Sequence, residues 1–322
     1  MSESQSLNAT FFAFKKREKS GVLLKTTVAY VLISLLSFGL FVVLNLAALS
    51  DYASWYVGVM QSSAGGVVDQ AILTPPASVI ALGPLMFLFQ VFYYILLAAY
   101  EAACLRWLIK GEQKGFFGFS FGADTWRVYL TYWIWFFLAV ACGILFLIVF
   151  GGMIGSMFAI GAAGGDTSSL GGVALALPLV FLLVLAAMTY VGVRLAPAAA
   201  TSVARNRFAF LDAWKVTRGR FWGLLGAFVL LWIMYFVATM ILYGAGGAAL
   251  AVGLMTNANQ LSGDPSPEQV FAVFAQPTVL VPLVLICAVA VVAAFMWIIA
   301  LFGINARAAS LALEEGKITA EA

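Results

Sequence analysis

The chain has 322 residues, of which 64% belong to the apolar set AVILMFWYC and 10% are charged, against roughly 45–50% apolar and about 25% charged in a soluble domain. That balance excludes a water-soluble globule. Beside 27 Phe, 11 Tyr and 9 Trp there is no His, so chemistry that depends on an imidazole base, proton shuttle or metal ligand has no residue to use.

A membrane-crossing helix needs about 20 mostly apolar residues, since each rises about 1.5 Å through roughly 30 Å of hydrocarbon. After a polar tail over residues 1–21, the first such stretch is Val22–Leu49. It exceeds the roughly 7–15-residue core of a cleaved signal and lacks a small-residue cleavage site, which predicts a retained span. Further spans are predicted at Val79–Leu108, Val128–Phe150, Val173–Ala198, Phe221–Gly253 and Val279–Gly303. Cys104, Cys142 and Cys287 stand isolated within these apolar stretches and read as small apolar residues, not disulfide or metal partners. Pro197 and Pro282 fall in spans, where membrane helices tolerate a kink.

The 17 basic residues fall in four groups on one side of these spans. Lys15, Lys16, Arg17, Lys19 and Lys25 lie at the amino terminus; Arg106, Lys110, Lys114 and Arg127 lie between spans two and three. Arg194, Arg205, Arg207, Lys215, Arg218 and Arg220 lie between spans four and five, with Arg307 and Lys317 after span six. The opposite loops contain only the acids Asp51, Asp69, Asp166, Asp264 and Glu268. By the positive-inside rule both termini are expected in the cytoplasm, and an odd number of spans would break the segregation.

The basic segments resemble one another. Phe116-Phe117-Gly118-Phe119 precedes Asp124-Thr125-Trp126-Arg127-Val128, and Arg207-Phe208-Ala209-Phe210 precedes Asp212-Ala213-Trp214-Lys215-Val216. The tail offers Phe11-Phe12-Ala13-Phe14 without the second motif. The expected fold is therefore an all-α, polytopic membrane helix bundle of six transmembrane helices. It forms a single integral membrane domain over 1–322, built from three helical hairpins near 11–108, 115–205 and 207–317 with interfacial amphipathic helices on the cytoplasmic side. Copies in one orientation would be parallel repeats; the alternative is that aromatic and basic residues gather at any cytoplasmic interface.

Before span five, Phe208, Leu211, Trp214, Phe221, Trp222 and Leu225 recur at helical intervals with Asp212, Lys215 and Arg220 between them. This predicts an amphipathic helix in the headgroup region that bends at Gly219. Anchoring the bundle is one role for it. Contact with anionic phospholipid is the other, through Arg205, Arg207, Trp214, Lys215, Arg218, Arg220 and Trp222, since each cation near such a leaflet contributes about 1 kcal/mol. Ionisable groups inside apolar helices cost roughly 2.5–3.5 kcal/mol, which marks Glu101, Arg194 and, at equivalent depth, Asn305 as a candidate intramembrane polar cluster. The alternative has Arg194 and Arg307 snorkelling to the headgroups and Glu101 paired locally, for instance with Lys25.

The stretch Arg194-Leu195-Ala196-Pro197-Ala198, followed by Phe210 through Gly226 (FLDAWKVTRGRFWGLLG), resembles the signature of a bacterial six-helix membrane protein family related to the membrane domain of glycerophosphoryl diester phosphodiesterases. The catalytic barrel and its His and Glu residues are absent from this sequence, so the resemblance implies a lipid-associated bundle without the hydrolytic activity. The expectation is a non-enzymatic protein of the bacterial cytoplasmic membrane, a scaffold or accessory subunit in envelope or lipid-related processes. It has no catalytic residue, no metal site and no cofactor; its partners are membrane lipids and not nucleic acid. A small transporter or lipid translocator running past the polar cluster is the alternative, which an axial or lateral cavity would favour.

Overall fold

The structure, a computed structural model, describes residues 9–17, 21–64, 74–162, 167–258 and 267–321. Lys19 and the loop acids Asp69, Asp166 and Asp264 lie outside the described residues. The fold is an all-α polytopic bundle; the described residues contain no strand, only an isolated bridge between Phe116 and Phe119. Among the described residues, six helices are long and apolar enough to cross a membrane.

The described helices run in order α1 (Phe12–Arg17), α2 (Val22–Leu44), α3 (Leu46–Ala64), α4 (Ala77–Lys110), α5 (Ala123–Ala162), α6 (Thr167–Leu195), α7 (Ala198–Arg205), α8 (Ala213–Val216), α9 (Phe221–Thr256), α10 (Pro267–Phe274) and α11 (Pro277–Glu314). Several depart from the predicted spans, and each departure has a local cause. The first span stops at Asn45, which takes a non-helical conformation and caps α2 through Phe41 and Val42. Helix α5 continues through Gly151 and Gly152 to Ala162, because Met153, Ile154, Met157 and Phe158 extend its apolar run beyond the glycines. At about 1.5 Å per residue its 40 residues reach about 60 Å, twice the hydrocarbon thickness. Pro197 interrupts the fourth candidate span, Ala176–Arg205: α6 ends at Leu195 and Pro197 caps α7. Helix α11 runs past Gly303 to Glu314, with Pro282 accommodated inside it.

The chain forms two compact units. The first comprises Gly21–Trp107 and Gly111–Leu145. In it the basic end of α2 is tied to α4 by the bond between Thr27 Oγ1 and the Tyr100 hydroxyl (2.9 Å), with Tyr30 stacked on Tyr100 at 4.6 Å. Thr26 donates to the Phe117 carbonyl at 2.8 Å, and the neighbouring Gly118 lies so close that an added Cβ would sit 2.9 Å from Thr26 Oγ1. Gly118 also has φ +92°, a conformation open to glycine and costly for other residues. Ser78 donates to Asp51 at 2.7 Å, joining α4 to α3 at the opposite end.

The second unit comprises Met1–Ser20, Leu108–Lys110 and Phe146–Ala322. Here α9 packs along α11, whose basic end also receives α1 and α7. The close approach follows from composition: Ala198, Ala200, Ala204, Ala306, Ala309 and Ala312 are all buried, and small side chains let helix backbones come together. Gly303 admits Ala13 so tightly that a Cβ there would lie 2.7 Å from the Ala13 methyl. Within each unit the buried side chains gather at the basic ends of the helices, while Leu36 (73% exposed), Leu183 (72%) and Ile241 (66%) point outward along the spans. Apolar exposure on that scale suits hydrocarbon as solvent and not water.

Candidate functional site

The segment predicted as one amphipathic helix is folded in short pieces. Asn206 takes the left-handed conformation (φ 58°) and ends α7. A single 3-10 turn, Phe210–Asp212, then leads into the one-turn α8. Gly219, at φ +78°, supplies the bend before α9. The turns divide their side chains between two surroundings. Phe210, Ala213 and Val216 are buried, whereas Phe208, Leu211, Trp214 and Trp222 are exposed, Leu211 and Trp222 at 77% and 79%. These outward apolar groups, with Lys215 and Arg218 among them, form a basic aromatic collar at the foot of α9.

Most of the collar's cations are engaged by carboxylates. Asp212 is the hub: it pairs with Arg205, accepts from Lys215 Nζ at 2.9 Å and lies 3.3 Å from Arg207 Nη2. Arg205 Nε also donates to the Thr319 carbonyl at 3.1 Å, and Glu321 takes Arg207 Nη1 at 2.8 Å. Burial on its own would raise the Asp212 carboxyl, but Lys215, Arg205 and Arg207 more than reverse this and hold it below the usual carboxylate range. The buried Arg220 pairs with Glu315, whose carboxyl is lowered by its hydrogen bond to Lys317 and by the Arg220 charge. Arg205, Arg207, Lys215 and Arg220 thus stiffen the collar. Arg218 is exposed and forms no ion pair among the described residues. The carboxyl-terminal acids Glu315 and Glu321 were not foreseen as partners, because nothing in sequence spacing reports a tail folding back onto a loop.

The same construction occurs in the first unit. Asp124 accepts from Arg127 Nη1 at 2.7 Å and lies 3.9 Å from Arg106 Nε, as Asp212 takes Lys215 and Arg205. Trp126 and Trp214 are exposed at 47% and 42%, and Val128 and Val216 are both fully buried. Phe119 and Phe210 point inward while Phe117 and Phe208 point outward.

The three polar-cluster residues have the following surroundings. Glu101, in the first unit, is buried and accepts a 2.5 Å hydrogen bond from the Tyr132 hydroxyl, so its partner is that tyrosine and not Lys25. Asn305, in the second unit, is also buried, and its Oδ1 has no hydrogen-bond partner among the described residues. Arg194, also in the second unit, donates from Nη1 to the Thr217 carbonyl (3.1 Å) and from Nη2 to the Tyr190 hydroxyl (3.2 Å). The rings of Tyr190, Trp214 and Phe221 surround its guanidinium at 5.2, 5.4 and 5.6 Å, within cation–π range. No hydrogen bond joins Arg194 to Asn305. Beside Arg194 a lateral groove of about 850 Å³ runs between α6 and α9.

Comparison with known proteins adds no relative: no family model matches the chain, and neither a curated protein nor a solved structure matches it.

Proposed function

We propose that the chain is a non-enzymatic, multi-pass protein of the bacterial cytoplasmic membrane, serving as a scaffold or accessory subunit in envelope or lipid-related processes. The observation that carries this reading is the collar, where exposed Phe208, Leu211, Trp214 and Trp222 stand on a platform rigidified by the Asp212 and Glu315 ion pairs. Aromatic side chains with interspersed cations are matched to the headgroup layer, where an apolar body and a polar edge are both satisfied. The one-sided distribution of Lys and Arg supports cytoplasmic termini. The matched Asp124 and Asp212 constructions support descent from repeated hairpins, and the run from Arg194 to Gly226 supports kinship with the six-helix family related to the phosphodiesterase membrane domain.

Native mass spectrometry of the full chain, extracted gently from its own membrane, tests this function. Retained lipid or a stoichiometric protein partner is expected, and a bare monomer refutes the reading. The lateral groove beside Arg194 favours a second reading, a lipid translocator. Proteoliposomes that exchange fluorescent phospholipid between leaflets no faster than protein-free vesicles would exclude it.

A further inference from the structure

A phospholipid presents an anionic phosphodiester at the interface and acyl chains in the hydrocarbon. A site for one therefore needs an uncompensated cation at the interface, continuous with an apolar trough that runs into the span. Helices α6 and α9 supply both. Leu182, Leu185 and Ala186 on α6 and Trp222 and Leu225 at the start of α9 line the groove of about 850 Å³, a size within the roughly 300–1,000 Å³ of small-molecule sites. From Leu182 to Arg194 the helix rises about 18 Å at about 1.5 Å per residue. That is close to one leaflet, half of a hydrocarbon core of roughly 30 Å.

Arg194 closes the groove at its basic end. Its guanidinium is held in place by the Thr217 carbonyl, the Tyr190 hydroxyl and three aromatic rings, none of which carries a negative charge. Unlike Arg205, Arg207, Lys215 and Arg220, it has no carboxylate partner among the described residues. Each Nη nitrogen keeps a second N–H that no acceptor among the described residues uses. A fixed cation with spare donors at the mouth of an apolar trough is complementary to a phosphodiester that carries an acyl chain.

We infer that this groove binds one anionic phospholipid from the leaflet on the basic side, its phosphodiester at Arg194 and one acyl chain along the α6–α9 trough. The inference rests on the lipid-associated reading above and names the class of lipid. Arg218 follows directly on Thr217, whose carbonyl holds Arg194, and adds to the same turn a positive charge with no ion pair among the described residues.

The test is native mass spectrometry of the full chain in detergent, titrated with phosphatidylglycerol or phosphatidylcholine of identical acyl chains. One phosphatidylglycerol per wild-type chain is expected, with about ten-fold preference over phosphatidylcholine: both lipids present the phosphodiester, but only phosphatidylcholine brings an ammonium that the Arg194 charge repels. R194Q should bring the two lipids level. A186W fills the trough but keeps Arg194, and should abolish retention of both. Excess inorganic phosphate should not displace the bound lipid. Equal retention of the two lipids on the wild type overturns the site without touching the broader function. So does an unchanged preference in R194Q, or displacement by phosphate alone, which would mark a soluble-anion site. A wild-type chain recovered free of both lipid and partner overturns the site and the proposed function together.

Discussion

Replacing Asp212 by alanine removes the acceptor shared by Arg205, Arg207 and Lys215. The cost is unevenly divided. Arg207 and Lys215 are 44% and 67% exposed, and pairs screened to that degree contribute about 0–1 kcal/mol. Arg205 is 10% exposed and Asp212 15%; orphaning one partner of a fully buried pair costs roughly 3–5 kcal/mol. Because Arg205 retains the Thr319 carbonyl at 3.1 Å and Glu321 at 3.8 Å, the expected loss for D212A is lower, about 2 kcal/mol. The assay is SDS-titrated unfolding of the purified chain in mixed micelles, with double-mutant cycles for D212A/R205A and D212A/K215A. Coupling of about 2 kcal/mol is expected in the first cycle and below about 1 kcal/mol in the second. Equal coupling in the two cycles, or a D212A loss below about 0.5 kcal/mol, would refute the assignment of Asp212 as a buried hub.

The lowered carboxyls of Asp212 and Glu315 predict a pH dependence. Their stabilisation is fully present above the unfolded carboxylate values of about 4 and is lost as pH falls through the lower folded values, so D212N should flatten the acid limb of an unfolding-versus-pH series. Y132F should destabilise by about 1–3 kcal/mol in the same SDS titration, because Glu101 loses the hydrogen bond donated by the Tyr132 hydroxyl; a wild-type midpoint would refute that dependence. G303L should displace α1, since a Cβ at that position already meets Ala13 at 2.7 Å. Limited proteolysis should then cut between α1 and α2 faster than in the wild type, and an unchanged cleavage rate would mean that α1 is held elsewhere.

Much of the architecture was legible in the chain because bilayer thickness imposes a length on apolar runs and the interface imposes a place on cations. Each of the six candidate spans among the described residues overlaps a predicted stretch, and Gly219 bends where the change of pattern required it. Helix ends were less legible. Asn45, Pro197 and the run beyond Gly303 are decided by caps and by packing against neighbours, neither of which leaves a periodic trace in the sequence.

The candidate site shows the same division. Composition and spacing alone determined an all-helical membrane chain with its basic residues concentrated in the segments on one side of the spans, since hydrophobic periodicity and charge are local properties. Which cations are neutralised was decided by tertiary structure. Glu315 and Glu321 reach Arg220, Arg205 and Arg207 only because the carboxyl terminus folds back on the loop before α9, whereas Arg194 meets a carbonyl and three rings in place of an acid. Ion pairing depends on distances of a few ångströms between residues far apart in the chain, and no linear pattern encodes those distances.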